Sequence, residues 1–280
     1  MNIKDLINKG SKLLKENNII SHIIDSEILM TKALNKNREY VLLNLEKNLK
    51  EKELNTYYQL ISQRSLGKPI AYLTGNKDFW KYEFKVSEDV LIPRPDTELI
   101  IESVLNLTKN KSKLKILDIG SGSGCIILTI LKEKLDFNGC GIDLSKKCVN
   151  ISKLNAINLG LQNRVKFFNS DVDNFNYGKY DLIISNPPYI NKLHLKYLER
   201  DVLDYEPVLA LDGGLDGISE IRKVINKSSE LIKINGKLIL EIAFNQKNCV
   251  KKLLREKGFY INNVLKDYAK NDRCIISTKI

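Results

Sequence analysis

From Lys115 to the C-terminus, short apolar runs alternate with stretches of helical spacing, and this alternation restricts the fold more than any other feature of the chain. The runs are KILDI, CGID, RVKFF, YDLIIS and GKLILEIA, with helices expected from about Gly124, from Ser145 and across residues 217–233. Strands with one face in water alternate apolar with polar residues. These are apolar along most of their length, so they belong to a mostly parallel sheet covered on both faces. A helix near residues 247–257 and two last runs, FYINNVL and RCIISTK, bring the strand count to seven. The expected fold class is α/β.

Before this region the period is different. Up to about residue 75 the apolar positions recur at helical spacing: Ile3, Leu6, Ile7, Leu13 and Leu14, then Ile20, Ile23, Ile24 and Ile28, then Leu54, Tyr57, Tyr58 and Ile61. The pattern predicts a small helical bundle, ended by Gly67-Lys68-Pro69 and Thr74-Gly75-Asn76. FWKYEF and VSEDVLI read as the two arms of a short hairpin. In Pro93-Arg94-Pro95-Asp96-Thr97-Glu98, Asp96 or Thr97 is placed to cap a helix running to about Leu107, so on spacing alone the segment is a linker and a helix start. The expected organisation is a helical domain over 1–75, a hairpin linker over 76–95 and an α/β domain over 96–280.

Composition removes several functional classes. No stretch approaches the roughly 18 apolar residues of a membrane span, and MNIKDLINKGSKLLKENN is polar where a secretory signal is apolar, so a cytoplasmic protein is expected. The five cysteines show no zinc-knuckle or redox spacing and are expected to be reduced. His22 and His194 are too far apart in sequence to suggest a metal site, and none is expected. The net charge of +11 is spread along the chain, with 12 basic and 8 acidic residues up to position 75 and 33 and 26 after it, so it is a weak pointer to nucleic acid.

The strand KILDI ends near Asp118 and runs into Gly120-Ser121-Gly122-Ser123-Gly124 before a helix begins. Glycines there allow a tight turn and close backbone approach to a ligand at a helix N-terminus, although packing alone can also demand them. The spacing fits neither a dinucleotide fingerprint nor a phosphate-binding P-loop. Asp143 ends the next strand 23 residues after Gly120, near the separation at which an acid meets a ribose diol; otherwise it caps a helix, for which Ser145 is also available. Asp171, after the third strand, is placed to accept from an adenine amino group. Three acids at successive strand ends would line one crevice.

Asp118-Ile119-Gly120-Ser121-Gly122-Ser123-Gly124 resembles the first motif of the class I S-adenosylmethionine methyltransferases, which have a Rossmann-like domain. The resemblance implies S-adenosyl-L-methionine as cofactor. Asp118, Gly120, Ser121, Gly122, Ser123 and Gly124 would cradle its methionine part, Asp143 its ribose, and Asp171 with Val172 its adenine, with Asn186 also at the cofactor.

The fourth strand delivers Asn186-Pro187-Pro188-Tyr189 to the same edge. Two prolines stop sheet pairing, stiffen the turn and supply no N–H, so the site is rich in acceptors and short of donors. That suits a planar amino group: Asn186 accepts one N–H through its side-chain oxygen, the Pro187 carbonyl accepts the other, and Tyr189 lies against the plane. Asn186, Pro187 and Tyr189 are the candidate catalytic residues, and Pro188 joins them in substrate binding. The plain alternative makes the prolines a strand terminator and Tyr189 a core aromatic.

Such a tetrapeptide resembles that of methyltransferases acting on adenine amines or glutamine amides. Gly67-Lys68-Pro69, Tyr72-Leu73-Thr74-Gly75, Phe79-Trp80, Leu91 to Glu98, Glu206-Pro207 and Ala210 to Gly214 are similar to the release-factor glutamine methyltransferases, the HemK/PrmC family, over nearly the whole chain. That resemblance implies N5-methylation of the glutamine in the Gly-Gly-Gln loop of class 1 peptide-chain release factors. It also implies an N-terminal domain that docks this partner, and Arg94 near the active-site cleft. Nucleic acid is not expected to be required. The rival, an adenine N6-methyltransferase, needs a base-flipping region, and no basic, aromatic-rich insertion is present. A non-catalytic RNA-binding module would leave the acids and prolines without a purpose.

Overall fold

The computed structural model describes residues 1–280, which divide into two compact units, Met1–Asn76 with Glu199–Tyr205, and Lys77–Leu198 with Glu206–Ile280.

In the first unit the expected helices form: α1 (Ile3–Glu16), α2 (His22–Leu34), α3 (Arg38–Leu43), α4 (Glu51–Ser65) and α5 (Ile70–Thr74). Asn2 and Asn37 cap α1 and α3 by accepting from the backbone N–H groups of Asp5 and Tyr40. Ile3, Leu6, Leu14, Leu29, Met30 and Tyr57 make the core. The Tyr57 hydroxyl meets Ser26 Oγ at 2.7 Å and donates to the Leu6 carbonyl, while Arg64 donates to the buried Asp25 at 2.7 Å. A sixth helix of this unit, Arg200–Tyr205, comes from far along the chain, and Tyr205 donates its hydroxyl to the Leu66 carbonyl. Nothing in the sequence assigns that short segment to the bundle.

The second unit opens with a hairpin, β1 (Asn76–Phe79) and β2 (Tyr82–Lys85), turned at Trp80 with φ +58°. Both arms therefore lie within NKDFWKYEFK, and VSEDVLI is irregular, contrary to the expected pairing of FWKYEF with VSEDVLI. Phe79 and Phe84, stacked edge to face in the core, set the register, and the Glu98 carboxylate accepts from the Trp80 backbone N–H at the turn. A single turn of 3-10 helix at Pro95–Thr97 then leads into α6 (Glu98–Leu107).

The α/β part follows the expected alternation: β3 (Lys115–Ile119), α7 (Cys125–Glu133), β4 (Asn138–Asp143), α8 (Lys146–Asn158), β5 (Val165–Asn169) and β6 (Tyr180–Ser185). After the short helix Arg200–Tyr205, here α9, come α10 (Ser219–Leu231), β7 (Ile232–Glu241), α11 (Lys247–Glu256), β8 (Phe259–Lys266) and β9 (Asp272–Lys279). The seven strands lie in the order β5-β4-β3-β6-β7-β9-β8. The first five are parallel and β9 runs antiparallel between β7 and β8. One face packs against α6, α7 and the hairpin, the other against α10 and α11. All five cysteines are free thiols and four are buried. No helix is long and apolar enough to cross a membrane.

The strand order fixes where a ligand goes. Sequence order reverses between β3 and β6, which pair with Ile119 beside Ser185, so their following loops diverge and leave a crevice at the carboxyl ends.

Candidate active site

A cavity of about 1060 Å³ opens at that crevice. Small-molecule sites commonly measure about 300–1,000 Å³, so it has room for a nucleoside-bearing ligand and a second group. The β3 loop, the ends of β4 and β5, and the β6 loop all contribute to its lining.

Gly120 and Gly122 line it with φ of +75° and +54°, and a Cβ on either would point into open space, so backbone is presented bare where a ligand would lie. Gly124 serves packing instead: its Cβ would stand 3.0 Å from Leu128 Cδ1 and 3.1 Å from Ser152 Cβ. Asp143, at the end of β4, also lines the cavity. Its Oδ2 accepts from the Gly122 N–H at 2.8 Å and its Oδ1 from the Ser145 N–H at 2.9 Å, so one carboxylate clamps the glycine loop to the next helix start. Each oxygen keeps a lone pair for a diol. Burial raises its pKa, and those two N–H groups oppose the rise. Ser145 caps α8, which leaves Asp143 available to a ligand.

Asp171 and Val172 line the far end, two and three residues past β5, with Asp171 Oδ1 accepting from the Asp173 N–H. Asp118, Ser121, Ser123 and Gly124 do not line the cavity. Asp118 is fully buried on the α7 side of β3, and neither of its oxygens reaches a hydrogen-bond partner. Desolvation pushes its carboxyl up to about 7; the Ile127 N–H pulls the other way but stops short of a full hydrogen bond. Of the expected cradle, Gly120 and Gly122 face the cavity, while Asp118, Ser121, Ser123 and Gly124 are buried away from it. Sequence spacing cannot tell these two roles apart.

Asn186, Pro187 and Pro188 line the cavity beside Ser185, as an acceptor-rich turn requires. Tyr189 does not. Its ring packs against the core under α10 and its hydroxyl donates to Glu241 Oε1 at 3.3 Å; burial raises its pKa. The expectation that Tyr189 lies against the substrate plane therefore gives way to a phenol anchored below the turn.

Two residues of the site carry no role in the sequence reading. Thr97, expected as a helix cap, makes no cap; it is buried and donates its hydroxyl to Glu241 Oε2 at 2.8 Å. Asn186 Nδ2 donates to the same hydroxyl at 3.2 Å. Glu241 is the last residue of β7 and is buried, and an acid closing the apolar, buried run Leu238-Ile239-Leu240 was the signal available for it. The rim is tied by Arg94, which pairs with the buried Glu206, whose other oxygen accepts from the Ile92 N–H. Gly213 lets the strand-like segment before Gly214 close on the turn, because a Cβ there would stand 2.8 Å from Tyr189 Cα.

Residues 96–261 match the family model described as the methyltransferase small domain, and residues 5–75 match the PrmC N-terminal domain. A solved structure titled a methyltransferase from Pyrococcus furiosus superposes with a TM-score of 0.51 at 16% identity, over 70% of this chain and 88% of that one, which is a likeness of fold. Fold and matched domain define the class: a Rossmann-like methyltransferase. Two curated proteins named release factor glutamine methyltransferase align with the whole chain, one from Clostridium botulinum at 38% identity and 100% of its own length, one from Clostridium acetobutylicum at 36% and 99%. The chain belongs to the release factor glutamine methyltransferase family.

Proposed function

We propose that this protein transfers a methyl group from S-adenosylmethionine to the side-chain amide nitrogen of the glutamine in the Gly-Gly-Gln loop of class 1 peptide-chain release factors. The observation that carries the reading is Asn186. Its Nδ2 donates to the buried Thr97 hydroxyl, so the acceptor end of the amide, Oδ1, is turned away from Thr97 on a residue that lines the cavity, where an amide N–H would need an acceptor.

S-adenosylmethionine, when bound, supplies the methyl as a sulfonium substituent and departs as a neutral thioether. Gly120 and Gly122 would hold its amino-acid part, Asp143 the ribose hydroxyls, and Asp171 with Val172 the base. The bare glycine backbone and the half-satisfied Asp143 oxygens fit such a molecule. The rest is done by the chain. An amide nitrogen is a poor nucleophile because its lone pair is delocalised. Asn186 Oδ1 and the Pro187 carbonyl accept its two hydrogens and hold the plane, so the nitrogen lone pair faces the methyl carbon. With that donor bound, the amide nitrogen would take the methyl while the sulfur keeps the C–S electron pair, and one of the two accepted protons would then leave to solvent. Positioning of this kind is worth up to roughly 7–11 kcal/mol. The helical first unit, with Ile20 and Leu43 exposed, is where we place recognition of the release factor.

Incubation with radiolabelled S-adenosylmethionine and a class 1 release factor should label the factor, and replacement of its loop glutamine should abolish the label. DNA and RNA as sole acceptors should stay unlabelled. Label that persists without the glutamine, or appears in nucleic acid, refutes the reading.

A further inference from the structure

We infer that Glu241, acting through the Thr97 hydroxyl, is a positioning residue that fixes which end of the Asn186 amide meets the substrate; the inference deepens the amide-methylation reading and rests on it. The two ends of a carboxamide have nearly the same shape, so packing around Asn186 cannot choose between them. Hydrogen-bond polarity can.

The Thr97 hydroxyl has one hydrogen. It goes to Glu241 Oε2 at 2.8 Å, because an ionised carboxylate only accepts. The Thr97 oxygen is then left as an acceptor for Asn186, which must offer Nδ2, at 3.2 Å. Oδ1 is thereby turned to the cavity. With a neutral Glu241 the relay loses its direction: the carboxylic acid donates to Thr97, Thr97 donates to Oδ1, and the Asn186 NH2 faces the substrate NH2, donor against donor. Glu241 Oε1 meanwhile accepts from Tyr189, so one carboxylate orders both ends of the Asn-Pro-Pro-Tyr turn.

The charged and titratable groups around Glu241 are consistent with a carboxylate that titrates near neutrality. Arg273, on the neighbouring strand, is occupied by Asp267 at 2.9 and 3.1 Å and lies 3.7 Å from Asp96; Cys274 pairs with Glu241 across the sheet. No cation therefore bonds Glu241 directly. Burial pushes its carboxyl up to about 7, the Thr97 hydrogen bond, the Arg273 charge and Tyr189 hold it down, and Asp96 adds to the rise.

The test uses full-length protein carrying Thr97→Val, which keeps the shape and removes the hydroxyl, and Thr97→Ser, which keeps the hydroxyl. Thr97→Val should lower kcat roughly 10- to 100-fold, the loss expected when a buried donor and acceptor are mismatched. Its dissociation constant for S-adenosylmethionine should stay near wild type, and Thr97→Ser should retain kcat within about threefold. The Asn186 side-chain amide resonances should titrate with Glu241 in wild type and in Thr97→Ser, and be insensitive to pH in Thr97→Val. Should Thr97→Val not fold, Glu241→Gln takes its place and must likewise abolish that titration. A Thr97→Val enzyme with wild-type kcat, or with Asn186 resonances that titrate as before, overturns the inference. The resonance arm needs no acceptor, so failure to methylate a release factor would defeat the functional reading while still deciding this one.

Discussion

At the residue scale, the two acids that flank the glycine loop, Asp118 in β3 and Asp143 at the end of β4, do opposite things with the same functional group. Asp143 faces the cavity and spends one lone pair of each oxygen on backbone N–H groups. Asp143→Asn removes one acceptor from that clamp and should raise the S-adenosylmethionine dissociation constant roughly 10- to 100-fold, as the loss of a charge-assisted hydrogen bond does. Titration calorimetry measures it, and a change below about threefold would exclude a ribose role. Asp118 is buried without a partner, its pKa raised to about 7 from 3.8. The folded chain therefore binds a proton there between about pH 4 and 7 that the unfolded chain has released, and the stability linked to it is complete below pH 4 and lost as pH rises through 7. Asp118→Asn should match the wild-type stability at pH 4 and exceed it at pH 8, by on the order of 1–3 kcal/mol, with the melting temperature rising accordingly. Equal pH dependence in the two proteins would show that Asp118 ionises without penalty. The sequence showed an acid at a strand end in both cases; which face of the strand it leaves by is decided by pleat and by α7, neither of which has a local signature.

At the element scale, the cavity rim depends on a contact between segments over a hundred residues apart. Arg94 pairs with Glu206, whose side chain is 2% exposed against 38% for the arginine. The segment after Glu206 bonds back to the Asn-Pro-Pro-Tyr turn through Ile190 N–H to Leu211 and Gly213 N–H to Ile190. Arg94→Ala leaves a buried carboxylate unpaired, which costs about 3–5 kcal/mol in a closed interior and about 1–3 here, because the arginine is partly hydrated. We expect the Ile190 and Gly213 amides to exchange faster with solvent in Arg94→Ala and to recover in the double variant with Glu206→Gln. Recovery is the informative half: a simple loss of packing would not be repaired by neutralising Glu206. What was legible at this scale was periodicity. The strands and helices from Lys115 onward declared themselves through the alternation of short apolar runs with helical spacing, and the fold follows from it. The hairpin did not, because VSEDVLI alternates as a strand does while Phe79 and Phe84, five residues apart, lock a tighter turn at Trp80. Thr97 read as a cap for the same reason: sequence shows a hydroxyl at a helix start and cannot show that Glu241, 144 residues away, takes its hydrogen.

At the scale of the whole molecule, the division into units follows contacts rather than chain order. The helix Arg200–Tyr205 lies in sequence between the Asn-Pro-Pro-Tyr turn and Glu206, yet it packs with the N-terminal helices, and Tyr205 bonds to Leu66. Local helical stability in six residues is negligible without such packing. Its opening should therefore track the stability of the first unit. Leu29→Ala, at a fully buried position of that unit, should cost about 2–5 kcal/mol. Amide exchange measured by mass spectrometry should then quicken in α1, α2 and α4 and, by a similar factor, in residues 200–205, while Leu117, Asp118 and Ile119 in the centre of the sheet keep their protection. Exchange in 200–205 that stays with the sheet would mean that the segment is stabilised by the methyltransferase unit.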